Sequence, residues 1–305
     1  MPNPPHTTPG RLPDFIVVGA TKAGTTSIDQ YLSLHPQIHM ARPKEPRYFV
    51  EGVIGSTSHL SLDWYRSLFR SERTMCGETS PQYTYWPTRT GVAARIQEVI
   101  PHCRLIYLVR EPWSRLKSHY LMKLRTGRTA DDLATHLNAA PQVRDASCYG
   151  TQLSELLRYF PREQILVLES SRLQRQTREA LREVFLFLGV DPGFDTAGFD
   201  HQYHVSQEQS ALSHTGMRLL NSPTVRFLER TLSQWAFYHA RNILSWPFRR
   251  TVPPLEISPA LQTRLTDLFR REVDLLRRLT GEDFPSLEVR APDPTDLSGL
   301  PPQHE

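Results

Sequence analysis

Phe15-Ile-Val-Val-Gly-Ala-Thr-Lys-Ala-Gly-Thr-Thr-Ser27 is the stretch that decides the fold. Phe15–Val18 is a short apolar run of the kind that forms a strand buried on both faces, and it leads into a glycine-bearing turn and a helix start. Gly19 and Gly24 have the G-x-x-x-x-G spacing that lets backbone N–H groups wrap a phosphate at a helix N-terminus. Thr25, however, stands where a nucleoside-triphosphate loop has its lysine. The loop's lysine, Lys22, lies three positions earlier. The loop therefore suits an anionic group on a nucleotide, but not the β- and γ-phosphates and Mg²⁺ of ATP or GTP.

A second strand supports that correction. Leu105–Val109 is again a near-continuous apolar run with β-branched and aromatic members. In a triphosphate-hydrolysing enzyme, such a strand ends in the aspartate that supports Mg²⁺. Here it ends in Arg110, whose guanidinium is suited to bidentate binding of a second phosphate. Ser118 follows two helical turns later, where its hydroxyl would be placed to add a hydrogen bond. The implied ligand carries two separated anionic groups and needs no metal.

These residues resemble a known family. Lys22-Ala-Gly-Thr-Thr-Ser27, Arg110 and Ser118 are similar to the 5′-phosphosulfate loop and 3′-phosphate site of the sulfotransferases, whose donor is 3′-phosphoadenosine 5′-phosphosulfate (PAPS). The likeness is to their carbohydrate (heparan-sulfate-like) and bacterial branch. Leu34–Ile38 with Lys44-Glu-Pro-Arg-Tyr-Phe49 is similar to that branch's LHP…KE-x-x-x-F run, and Gly77–Tyr83 to its E-K-T/S-P-x-Y segment. The similarity runs from about Asp14 to about Val190.

The resemblance implies roles for particular residues. Lys22 would be the cation for the sulfonate and the departing bridging oxygen. The Ala23, Gly24, Thr25, Thr26 and Ser27 amides, with the three hydroxyls, would hold the 5′-phosphate, and Arg110 and Ser118 the 3′-phosphate. The family pattern carries the general base onto Glu45. His39, whose side-chain chemistry suits proton transfer near neutrality, is the competing candidate. Glu78 would orient Lys22 or bind an acceptor hydroxyl, Arg115 would reinforce the 3′-phosphate site, and Tyr149 would lie on the donor side. Tyr203–Ser210 is the candidate for covering the donor. One departure bears on the acceptor: Thr79 stands where the heparan-type sequences have lysine, which argues against a highly sulfated polysaccharide. A sugar or natural-product hydroxyl is the acceptor expected. A kinase- or NTPase-like enzyme and a non-catalytic PAP- or PAPS-binding protein are the alternative readings.

Composition is compatible and decides little. Lys and Arg number 36 against 32 Asp and Glu, a formal charge of +4. That balance suits an anionic donor and is too mild to point to nucleic acid. The N-terminus lacks the basic and apolar regions of a secretory signal. No stretch approaches the roughly 20 apolar residues of a membrane span. Three cysteines without metal-type spacing fit reduced thiols in a core, and a cytoplasmic location is expected.

Strand-like runs separated by helical patterns predict an α/β domain with a P-loop-NTPase-like parallel sheet and helices on both faces. Strands are expected at Phe15–Val18, Ile38–Met40, Thr74–Cys76, Leu105–Val109 and Ile165–Leu168. Helices are expected at Thr26–Leu34, Leu62–Phe69, Gly91–Ile100, Trp113–Leu124, Ser147–Phe160, Arg175–Leu188, Ser213–Leu232 and Pro259–Leu279. Residues 13–290 form the single expected domain, between a disordered 1–12 and a flexible 291–305. Ligands in such sheets sit beyond the carboxyl ends of the strands. The phosphate loop, Lys44–Phe49, Gly77–Tyr83 and Arg110 all follow strands and should converge there.

Overall fold

In the computed structural model, five strands form one parallel sheet: β1 (Phe15–Gly19), β2 (Ile38–Met40), β3 (Met75–Thr79), β4 (Arg104–Val109) and β5 (Ile165–Glu169). The structure describes residues 10–52, 56–125, 129, 132–201, 210–212, 222, 225, 249–251 and 257–292. The strand order is β2-β3-β1-β4-β5, so β1 lies at the centre. Phe15, Ile16 and Val17 pair with Gly77, Glu78 and Thr79 on one side and with Arg104, Leu105 and Ile106 on the other. All five residues of β1 are buried, as its unbroken apolar pattern requires.

Helices cover both faces of the sheet. In chain order they are α1 (Thr25–Leu34), α2 (Leu62–Ser67), α3 (Val92–Val99), α4 (Pro112–Arg125), α5 (Leu133–Ala139), α6 (Gln142–Asp145), α7 (Tyr149–Leu157), α8 (Ser170–Arg175), α9 (Thr177–Leu188) and α10 (Pro259–Thr280). A separate antiparallel pair joins β6 (Ser210–Leu212) to β7 (Arg249–Thr251). One hydrophobic core takes in β1, β4, α7, α9, α10 and, beyond the last helix, Phe284, Leu287 and Val289. Trp113 on α4 packs edge-to-face on Phe269 of α10, with ring centroids 5.5 Å apart. Its indole N–H donates to Thr266 Oγ1 at 3.2 Å.

Each strand expected within the sheet is present, with one correction. Gly77, Glu78 and Thr79 belong to β3 and are buried; they are not the start of a loop. Gly77 is what allows this close pairing. A Cβ there would meet the Phe15 ring at 2.2 Å, so only glycine lets β3 lie against that side chain. Between α4 and α7, where no element is expected from the sequence, the chain forms the short helices α5 and α6. At the N-terminal boundary, Leu12 already packs against the core. At the other end the Pro292 carbonyl accepts a hydrogen bond from Gln262. Residues 1–9, 203–209, 293–305 and, apart from Ser222 and Val225, the helix expected over Ser213–Leu232 lie outside the described residues.

The three cysteines are free and buried. Burial pushes the Cys76 thiol up to about 11 and raises that of Cys103 as well, so both are inert core groups. Among the described residues no helix is long and apolar enough to cross a membrane.

Candidate functional site

The parallel register puts the ends of β1, β3 and β4 at one edge of the sheet, and the site is built there. From Gly19 the chain turns through Ala20–Gly24 into α1. Ala20 N–H donates to the Leu108 carbonyl on β4, and Ala23 N–H closes the turn onto the Ala20 carbonyl at 3.0 Å. Gly24 has φ +92°, a left-handed conformation open to glycine at little cost. Lys22 is left-handed too, at φ +70°, which for a side-chain-bearing residue costs roughly 1–2 kcal/mol. No side chain caps the start of α1, so its first-turn amides face the site as a ready anion receptor.

Two arginines hold the strained turn in place. Arg110, directly after β4, donates from Nη1 to the Lys22 carbonyl at 3.4 Å. Arg115 donates from Nη1 to the preceding carbonyl, Thr21, at 3.1 Å. Arg115 is fully buried, and no carboxylate among the described residues lies within ion-pairing distance of it. Its donors go to neutral groups: Nε to Ser147 Oγ at 2.5 Å, Nη1 also to His119 Nδ1 at 3.1 Å, and Nη2 to the Val143 carbonyl. Burial opposes the charge on both arginines and lowers each from the ordinary guanidinium value. Burial, and then the nearby Arg115 charge, push His119 well below the usual imidazole range, so it stays neutral and can accept. Its ring stacks on Tyr85, whose hydroxyl shares a 2.7 Å hydrogen bond with Thr21 Oγ1.

Arg115 thus lies buried beneath the Ala20–Gly24 turn, which it supports. A helix-face argument could pair it with Ser118, but could not reveal that its partners come from residues 21, 143 and 147. Arg110 itself is locked from behind. The Tyr149 hydroxyl donates to the Arg110 carbonyl at 2.6 Å and accepts from its N–H at 3.2 Å. Glu111 caps α4 by accepting from the N–H groups of Trp113 and Ser114 at 2.9 and 2.6 Å. Ser118 is half-buried on the second turn of α4 beyond this cap.

The other part of the candidate site is the loop after β2. Glu45 N–H donates to the Thr79 carbonyl at 3.1 Å, and Arg47 N–H to Ser80 Oγ at 3.1 Å. Both residues are left-handed, at φ +58° and +55°. The loop is thus pinned by its backbone while Glu45 projects from it. The Glu45 carboxylate lies 2.7 Å from Arg47 Nη2 and 3.5 Å from Lys44 Nζ. Lys44 Nζ also donates to Thr26 Oγ1, on the first turn of α1, at 3.0 Å. Of the other loop hydroxyls, Thr25 is buried and Ser27 half-buried. His39 sits within β2, paired with Cys76, and its Nε2–H donates to the Leu68 carbonyl at 3.0 Å. That bond fixes the ring against the chain just after α2 and leaves Nδ1 as the nitrogen with the basic lone pair.

Glu78 is placed differently from either expectation. It is fully buried in β3, and three hydroxyls donate to it: Tyr65 at 2.6 Å, Ser80 at 2.7 Å and Tyr83 at 3.0 Å. Desolvation raises its carboxyl to about 7 in spite of these three bonds, each of which favours the charged form. The sign of the consequence follows directly. The folded chain keeps this proton at pH values where the unfolded chain has lost it. The stability it contributes is complete below about pH 4.5 and is lost as pH rises through about 7. Linkage puts the loss at about 3 kcal/mol. Denaturant midpoints measured from pH 5 to 8 should therefore fall more steeply for the wild type than for Glu78→Gln. Parallel slopes would show that Glu78 does not titrate in this range.

Comparison with known proteins accords with this geometry. A family model for the sulfotransferase domain matches residues 12–211, well over half of the chain, and the chain belongs to that family. Heparan sulfate glucosamine 3-O-sulfotransferase 3B1 of Mus musculus is 31% identical over 191 residues, covering 59% of this chain and 47% of that protein. The bifunctional heparan sulfate N-deacetylase/N-sulfotransferase 2 of Homo sapiens is 27% identical over 204 residues, 60% of this chain and 22% of its own length. The chain thus spans less than half the length of these curated relatives. The crystal structure of a sulfotransferase from Alicyclobacillus acidocaldarius shares the fold with a TM-score of 0.62 at 23% identity, covering 91% of this chain and 99% of its own.

Proposed function

We propose that this chain transfers a sulfuryl group from PAPS to a hydroxyl of a sugar or natural product. The observation that carries the reading is the donor loop, with its left-handed Lys22 and uncapped α1 amides held by Arg110 at the end of β4. Family membership and relatives that sulfate heparan sulfate support a carbohydrate-type acceptor. In the reaction, the acceptor oxygen attacks sulfur as the bond from sulfur to the bridging oxygen breaks, in line, releasing 3′-phosphoadenosine 5′-phosphate (PAP). The proton from the acceptor passes to Glu45. Lys22 neutralises charge building on the sulfonate and the departing oxygen, the kind of fixed electrostatic support that lowers such barriers. Arg110 and Ser118 read the 3′-phosphate.

A triphosphate-hydrolysing reading is weaker, because Thr25 replaces the lysine and Arg110 the Mg²⁺-supporting aspartate of such sites. The nucleotide assignment is tested by ligand-induced melting shifts. PAP should raise the melting temperature strongly, AMP and ATP much less, since a large shift requires tight binding to the folded state. Equal shifts with PAP and AMP would remove the role given to Arg110. The reaction as written uses no metal ion, so transfer is expected to continue in excess EDTA; a requirement for divalent cation would overturn that part.

A further inference from the structure

Lys44 links the two halves of the site. It belongs to the acceptor-side loop, yet its ammonium reaches Thr26 Oγ1 on the first turn of α1 at 3.0 Å and lies 3.5 Å from Glu45 Oε1. Its side chain is only 22% exposed, so the charge is held in place rather than swinging in solvent. Two physical consequences follow. A threonine hydroxyl that accepts from an ammonium keeps its own O–H to donate, and the accepted bond polarises it into a stronger donor. An anion held by the α1 amides would therefore meet a Thr26 hydroxyl already charged from behind. Second, a negatively charged donor and the Glu45 carboxylate repel one another at close range, and a cation bonded to both sides of that gap offsets the repulsion.

We infer that Lys44 is a positioning residue of the transfer site. It strengthens the grip of Thr26 on the 5′-phosphate end of the donor and keeps the Glu45 carboxylate compatible with a bound donor. This rests on the donor assignment above and adds a second lysine to it, besides Lys22. The action is confined to the 5′ end, because Thr26 belongs to the phosphate loop and Arg110 stands on the other side of that loop, after β4.

That confinement supplies the test. Adenosine 3′-monophosphate has the 3′-phosphate of PAP but no 5′-phosphate. Calorimetric titrations of both ligands would be made into the full chain and its Lys44→Met, Lys44→Arg, Thr26→Val and double Lys44→Met/Thr26→Val forms. Lys44→Met should weaken PAP about tenfold, the scale of one charge-assisted hydrogen bond, and leave adenosine 3′-monophosphate unchanged. Lys44→Arg should recover most of the loss. The double variant should bind PAP no worse than Lys44→Met alone, since both changes break one link. If Lys44→Met weakens both ligands equally, its role is merely structural. PAP binding unchanged in Lys44→Met would likewise overturn the inference while leaving the donor reading intact. A wild-type chain that fails to bind PAP would overturn both.

Discussion

Lys22→Ala is expected to reduce sulfuryl transfer by roughly 10²–10³, the loss typical when one preorganised group facing developing charge is removed. The prediction follows from where the backbone puts the side chain. Lys22 occupies a left-handed position that a β-carbon disfavours, and two arginines grip its own carbonyl and the one before it. Strain of that kind persists where the surroundings over-determine it, and here the two arginines supply that constraint. Alanine at the same φ bears a similar backbone cost, so the folded structure and its melting temperature should change little. PAP affinity should fall modestly, because the amides and hydroxyls of the loop remain. The measurement is single-turnover release of PAP from PAPS, with the acceptor found in a labelled-PAPS screen. A variant that turns over at near wild-type rate would exclude Lys22 from the chemistry.

Glu45→Gln should lose roughly 10²–10⁴ in rate at nearly unchanged PAP affinity, the range of a general base. The amide keeps the shape of the side chain and an oxygen facing Arg47, whose guanidinium lies 2.7 Å from the carboxylate. What it cannot do is take a proton, so the loss isolates that step. The ion pairs with Lys44 and Arg47 are also what a purely structural carboxylate would have, and pairs still in contact with solvent contribute little stability. Activity and stability should therefore separate: a large kinetic effect without a matching change in melting temperature. His39→Ala is the companion experiment. Its ring, within β2, is tied to the Leu68 carbonyl at the end of α2, so the variant should remain active. A dead but folded His39→Ala beside an active Glu45→Gln would make the histidine the base.

How much of this was legible in the sequence depends on the range of the interactions. The strand–loop–helix unit from Phe15 to Leu34, Arg110 at the end of β4 and the sheet itself are written in local patterns of apolar runs and glycine spacing. These patterns report the backbone, and the backbone followed them. Glu78 was misread because a charged residue after glycine looks like a loop. Only the fold shows Tyr65, Ser80 and Tyr83 converging on it to make burial tolerable. Arg115 and Lys44 are likewise set by partners on other elements, Thr21 and Val143 for one and Thr26 for the other, which no local pattern shows. Tyr149 carried no signal at all of its two-way bond to the Arg110 backbone.

The packing of α10 limits how far the chain can be shortened. The region common to the family stops at residue 211, so a minimal enzyme cut there would look reasonable on paper. Yet α10, far beyond that point, lies against α7 so closely that a Cβ on Gly150 would meet Leu275 at 2.6 Å. Glu272 on α10 accepts from both the N–H and the hydroxyl of Thr151 at 2.7 Å. Tyr149, two residues before Thr151, is the group that fastens Arg110. The Arg110 end of the candidate site is therefore anchored to α10. A protein trimmed to its recognisable motifs would keep each residue that names the family and lose the support that keeps one of them in place. Under the proposed reaction, engineering for new acceptors is better directed at side chains near Glu45 than at the length of the chain.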